Sequence, residues 1–209
     1  MYQPPQFKSE DRAIAAELMR AHSFASLVSV DDGGLPYVTH LPLHLRERDD
    51  RFVLLGHCAR PNPHWRYLQA RPTALVTFLG PHAYQSPKIY ADRQRVPSWN
   101  YLAVHCTVQA RLLEAPEQKE VVLKSLIGDH EAAYAEQWAS LDEAFRLSML
   151  AGIMAFELDV VRWECKLKLN QHRPESHARL RAAYAEGNAD ERALAEWMQR
   201  LGLKGLEGN

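Results

Sequence analysis

The stretch His57-Cys58-Ala59-Arg60-Pro61-Asn62-Pro63-His64-Trp65 concentrates residue types that bind anions. Asn62 is a preferred N-cap and Pro63 suits the first helical position, so a helix is expected to start here with free N–H groups at its end. Arg60 stands just before it, and a guanidinium fork beside a helix N-terminus can clamp a phosphate. The same residues also describe a plain capped strand-to-helix connection with a solvated arginine. A second group runs from Gly80-Pro81-His82-Ala83-Tyr84 through Tyr90 to Val96-Pro97-Ser98-Trp99-Asn100-Tyr101. Flat aromatic rings there suit a planar heterocycle, with Asn or Ser meeting its polar edge; a loop buried by its aromatics at a subunit contact is the alternative. The third group is Glu164-Cys165-Lys166-Leu167-Lys168-Leu169-Asn170-Gln171-His172-Arg173-Pro174. A continued strand would place Lys166 and Lys168 on one face, turned either to an anion or to solvent.

Other chemistries lack their markers. His40 and His44 would share a face of an extended strand, but Pro42 between them disfavours a regular central strand. Neither H-E-x-x-H nor the Cys/His spacing of a zinc site occurs, so no metal site is expected. G-x-G-x-x-G, P-loop and G-x-S-x-G patterns are missing too, and no catalytic residue is assigned. The three cysteines are odd in number and far apart, which suits packing positions in a reducing cytosol. Lys and Arg number 25 against 26 Asp and Glu, so the net charge of −1 offers no general attraction to nucleic acid. No cationic leader with an apolar core and no run of about 18 apolar residues is present, so a cytoplasmic protein without membrane contact is expected.

The elements that must position these groups follow from the periodicity. Ser9, with Glu10 and Asp11 behind it, is expected to cap an amphipathic helix reaching about His22. Phe24 to Val30 and Leu35 to Leu45 flank Asp31-Asp32-Gly33-Gly34 as a hairpin. Arg51 to His57, Thr73 to Leu79 and Trp99 to Leu113 read as further strands. From Pro116 the period changes to helical up to about residue 150, Ile153 to Trp163 returns to strand, and about 175–203 is a helical tail. Strands joined by hairpins rather than crossover helices imply one domain over 1–209, mainly β: an antiparallel barrel with a helical insertion at about 116–150.

The groups above, taken in order, resemble the motif series of the PaiB family of FMN-binding negative transcriptional regulators. The matching segments are Met1-Tyr2 with Pro4 and Phe7, His40-Leu41-Pro42-Leu43, Gly56-His57 with Ala59-Arg60 and Asn62-Pro63-His64-Trp65, and Phe78 with Gly80 to Tyr84. Ser86-Pro87 with Tyr90, Val96 to Tyr101 with Val104-His105, and Lys166 to Pro174 complete the series, from residue 1 to about 180. The resemblance implies an FMN-binding split β-barrel of the pyridoxamine-phosphate-oxidase-like kind, with FMN in a groove of a homodimer. It implies phosphate contact by Arg60 and Asn62, and by Lys166 and Lys168. It implies ring-side contact by Thr39, His40, Leu41, Trp99 and Asn100. In the last motif this chain departs from the family, with Asn170 in place of a Ser and His172 in place of an Asn.

A flavin-dependent sensor or regulator is therefore the first functional expectation. An FMN-dependent oxidoreductase, with His82 or His105 orienting a substrate, or a haem-handling enzyme on the same barrel is the alternative. Direct DNA contact follows only from the resemblance, because Arg173, Arg179, Arg181, Arg192 and Arg200 are interleaved with Glu186, Asp190, Glu191 and Glu196.

Overall fold

The computed structural model describes residues 1–203. Asp11, rather than Ser9, starts the first helix: its Oδ1 accepts from the N–H groups of Ala13 (2.8 Å) and Ile14 (3.2 Å). That helix is α1, Arg12–Ala21. Ser9 instead belongs to a two-residue strand, β1 (Lys8–Ser9), placed opposite Cys165. The expected hairpin forms from β2 (Phe24–Val30) and β3 (Pro36–Pro42), and Asp31 Oδ1 accepts from Gly33 and Leu35 N–H to close its turn. Its second arm stops at Pro42, which cannot donate to a ladder, and a separate strand β4 (His44–Arg48) follows. His40 and His44 thus lie on different strands.

β5 (Arg51–Ala59) leads to α2 (His64–Ala70), and then come β6 (Thr73–Gln85) and β7 (Ser98–Leu113). β6 runs six residues beyond the expected Leu79 because Gly80 and Pro81 are both buried and shift the alternation without ending the strand. The insertion contains three helices, α3 (Pro116–His130), α4 (Tyr134–Ser140) and α5 (Glu143–Ala151). Asp142 breaks the last two apart by accepting from Phe145 N–H as an N-cap. β8 (Ile153–Lys168) reaches both lysines of the third group. The tail is two helices, α6 (His177–Ala185) and α7 (Ala189–Arg200), because Asn188 and Glu191 form a capping box that restarts the chain.

The strands form an eight-stranded antiparallel sheet in the order β3-β2-β6-β7-β8-β5-β4, with β1 on β8. Two compact units are distinguished, and β6, β7 and β8 contribute residues to both. One contains Met19–Phe78 and His105–Trp163, with a core that includes Val53, Leu55, Leu113, Val122, Leu126 and Ala155. Gly56 is needed in it, since a Cβ there would lie 2.5 Å from Leu43 Cδ2 and 3.2 Å from Leu41 Cδ1. The other contains Met1–Leu18, Leu79–Val104 and the chain from Glu164, including the packed α6–α7 pair.

Candidate functional site

In the unit built around β2 to β5, four polar side chains converge at the start of α2. Asn62 donates from Nδ2 to Thr39 Oγ1 (3.2 Å), and its Oδ1 accepts from the Tyr37 hydroxyl (3.3 Å) and the His64 N–H (3.0 Å). His64 Nδ1 lies 2.7 Å from the same Thr39 oxygen, and the Tyr37 ring stands edge-on to its imidazole at 5.2 Å. His64 is 1% exposed, and burial drives its pKa down to about 4, so the ring is neutral near pH 7. Its Nε2 is buried with no hydrogen-bond partner. Within this otherwise satisfied network the buried Nε2 is a group that a polar ligand atom reaching it would satisfy.

The cationic part of this cluster lies on an indole. Arg60 and Arg66 place their guanidinium carbons 5.6 Å and 5.1 Å from the Trp65 ring centroid, and Trp65 Nε1 donates to the Arg60 carbonyl (3.0 Å). Neither arginine has an acidic partner among the described residues. Lys119 adds to the positive field: burial first, then the nearby Arg60, lowers its pKa, opposed by Glu114. The helix end itself corrects the expectation drawn from Asn62 and Pro63. α2 begins at His64 and has seven residues. Two of its first N–H groups are already taken: His64 by Asn62 Oδ1 and Arg66 by the Pro63 carbonyl. With that helix end largely occupied, the anion-binding capacity here is chiefly in the guanidinium groups. Arg66 and His64 were missed from sequence. The spacing Arg60…Arg66 around Trp65 is the signal that was available.

Thr39 and Asn62 are thus brought together, and His40 and Leu41 are their strand neighbours in different settings. His40 is exposed, with Nδ1 3.0 Å from Ser26 Oγ and its ring 6.4 Å from that of Phe24. Leu41 is buried against the Gly56 approach.

The other unit gathers the remaining predicted residues. Lys166 and Lys168 do share a face, and their Nζ atoms lie 5.1 Å and 6.0 Å from the Tyr101 ring centroid. Lys166 is only 6% exposed and donates to the Tyr2 carbonyl (3.0 Å). Lys168 donates to Ser98 Oγ (2.6 Å) and to the Trp99 carbonyl. Burial, and then the charge of Lys166, lowers the pKa of Lys168. Trp99 is 53% exposed, between the rings of His82 (6.2 Å) and Tyr84 (6.3 Å). Asn100 is fully buried: Nδ2 donates to the Tyr184 hydroxyl (2.9 Å) while Oδ1 has no partner. Among the described residues no group of three His, Cys, Asp or Glu side chains could hold a metal, and no helix is long and apolar enough to cross a membrane.

Residues 1–162 match the family model described as "Putative FMN-binding domain". The chain is 34% identical over 203 residues to the Protease synthase and sporulation protein PAI 2 of Bacillus subtilis (strain 168), a match that covers 95% of this chain and 97% of that protein. Among solved structures it is similar to the FAD and heme binding protein from Mycobacterium smegmatis, with a TM-score of 0.59 and 18% identity over 77% of this chain and 73% of that one. The flavocytochrome Anf3 from Azotobacter vinelandii gives a TM-score of 0.59 and 14% identity, covering 78% of this chain and 69% of that one. These two likenesses are of fold. Two guanidinium groups over Trp65, without an acidic partner among the described residues, suit a phosphate-bearing cofactor, in keeping with the family. With its antiparallel split β-barrel and appended helices, the chain belongs to the PaiB family of FMN-binding proteins.

Proposed function

We propose that this chain is an FMN-dependent regulatory protein that lowers expression of target genes, and that Arg60 is the chief contact to the FMN phosphate. One observation carries the site reading: Arg60 and Arg66 lie on Trp65 with no acidic partner among the described residues, next to the Tyr37–Thr39–Asn62–His64 network. When bound, FMN supplies reversible redox chemistry; the residues of this chain bind, orient and shield it. In this reading Asn62 and Thr39 order the approach to the phosphate, and His40 and Leu41 line the ring side; Trp99 and Asn100, in the other unit, are a separate candidate for ring contact. Lys166 and Lys168 form the second candidate for phosphate contact, favoured by their lack of an acidic partner among the described residues.

The regulatory role draws on the Bacillus subtilis relative, whose name refers to protease synthesis and sporulation. With a net charge of −1, the purified chain is expected to bind promoter DNA weakly and without sequence preference at physiological salt. Tight, selective retention in a gel shift would contradict that and point to a basic surface built by the fold. The test of the role itself is transcript profiling in the source organism with the wild-type gene, a deletion and Arg60→Ala. The deletion and the flavin-binding variant should derepress the same genes; a deletion without transcriptional effect would remove the regulatory reading.

An oxidoreductase reading has one observation in its favour, the exposed Trp99 platform with the His82 ring tilted toward it at 6.2 Å. Steady consumption of NADH or NADPH by the FMN-loaded protein, lost in His82→Ala, would support it over the regulator.

A further inference from the structure

The loop between β6 and β7 and the turn after β8 line an open cleft of about 290 Å³, within the unit that carries Trp99. Its wall includes Arg95, Ser98, Asn170, His172 and Arg173, with Val96 and Pro97 on an apolar side. We infer that it is a second ligand site, for a small carboxylate- or phosphate-bearing metabolite whose oxyanion meets Arg173 and Ser98. This does not rest on the assignment of Arg60.

The floor is built rather than incidental. Asn170 is buried and held in the left-handed region at φ 63°, a conformation that costs a non-glycine residue energy and persists only when its surroundings enforce it. The enforcement is visible: Asn170 Nδ2 donates to Tyr90 OH (3.0 Å) and Ser176 Oγ (2.8 Å), and its carbonyl lies 2.9 Å from His177 Nε2. Tyr90 OH also accepts from the buried Gln85 (2.7 Å), another lining residue. Such a clamped polar floor resists collapse into the cavity.

The charge balance then selects an anion. Arg95 is neutralised by Asp92 (2.8 Å) and lies 5.0 Å over the Tyr90 ring. Arg173 has no acidic partner among the described residues. Ser98 Oγ accepts from Lys168, so its own proton is free to be donated elsewhere, and the residue lines the cavity. His172 senses the same surplus. Desolvation, then Arg173 and Lys168, with His177 adding to them, hold its pKa below the usual imidazole range against the pull of Glu175, and its ring edge meets Phe7 at 5.5 Å. An oxyanion in the cavity would relieve that repulsion and raise the His172 pKa.

The test titrates the full-length, FMN-loaded chain with inorganic phosphate and with acetate at ionic strength held constant with chloride. Heat of binding and the His172 ring resonances are followed together. The expectation is one saturable site for at least one probe, a rise in the His172 pKa on saturation, and affinity reduced by roughly 10- to 100-fold in Arg173→Gln, with Arg173→Lys between the two. FMN affinity should be the same in all three proteins. Probes that distinguish the two oxyanions assign the metabolite class. Non-saturable heats for both, or an unchanged affinity in Arg173→Gln that retains its native circular dichroism, would overturn the inference. Mutual displacement of phosphate and FMN, with Arg173→Gln weakening both, would also overturn it by making the cavity part of the flavin site.

Discussion

His64 shows how one side chain ties the candidate site to stability. Its ordinary pKa of 6.5 falls to about 4 in the fold because the buried ring cannot be charged cheaply. The unfolded chain therefore binds a proton between about pH 6.5 and 4 that the native chain does not. Stability is fully present above 6.5 and falls as the pH drops through that window, by on the order of 3 kcal/mol as an upper bound. Denaturant unfolding at pH 7 and 4.5 should show this loss, and His64→Gln should flatten it; an equal slope in the variant would place the acid sensitivity elsewhere. His57, also lowered by burial, adds to the same trend and remains in both proteins. The strand-to-helix connection after Ala59 was legible in sequence because Asn-Pro after a strand is local grammar. The neutrality of His64 was not, since it follows from packing against Tyr37 and Thr39, which are distant in sequence.

At the scale of elements, Lys119 illustrates a lysine whose role only the fold reveals. In α3 it reads as one more solvated charge, yet it is 5% exposed and its Nζ donates to the Leu150 carbonyl (3.1 Å) at the end of α5. There it donates to a last-turn carbonyl, which also faces the Gly152 N–H, at the negative end of a helix. Lys119→Ala should cost about 1–3 kcal/mol, and thermal unfolding should move down by roughly 2–4 °C per kcal/mol. Lys119→Met, which keeps the stem, should recover part of it; a melting point equal to wild type in both would show that the contact contributes nothing. Most strand cores, from Phe24–Val30 to the long Ser98–Leu113, were legible from alternation. The errors sit where local signals point one way and pairing the other. Gly80-Pro81 looked like a strand end, but β6 continues through it. Ser9 looked like a cap, but the edge of β8 recruits it into β1.

The whole molecule exposes an apolar sheet face that points to self-association. Phe24 is 71% exposed on β2, Val38 is exposed across from Val28 on β3, and Val30 and the half-buried Leu75 extend the same surface. A monomer would leave it to water, so the homodimer implied by the family resemblance is expected to use it. Light scattering should give twice 23.9 kDa, and the double substitution Phe24→Asp, Val38→Asp should give a monomer. A wild-type monomer at micromolar concentration would contradict this. Family and cofactor were legible because seven short motifs fall in register, although none is decisive alone. The division of the predicted contacts between Thr39, Arg60 and Asn62 in one unit and Trp99, Asn100, Lys166 and Lys168 in the other was not legible, because it arises from how the three longest strands are shared. The most direct measurement of the central claim is a fluorescence titration of wild type and Arg60→Ala with FMN and with riboflavin, which lacks the phosphate. A charge-assisted contact is worth about 1.5–3 kcal/mol, so Arg60→Ala should weaken FMN by roughly 10- to 150-fold while leaving the weaker riboflavin binding nearly unchanged. Equal wild-type affinity for the two flavins, or an equal loss for both on substitution, would contradict the assignment of the phosphate to Arg60.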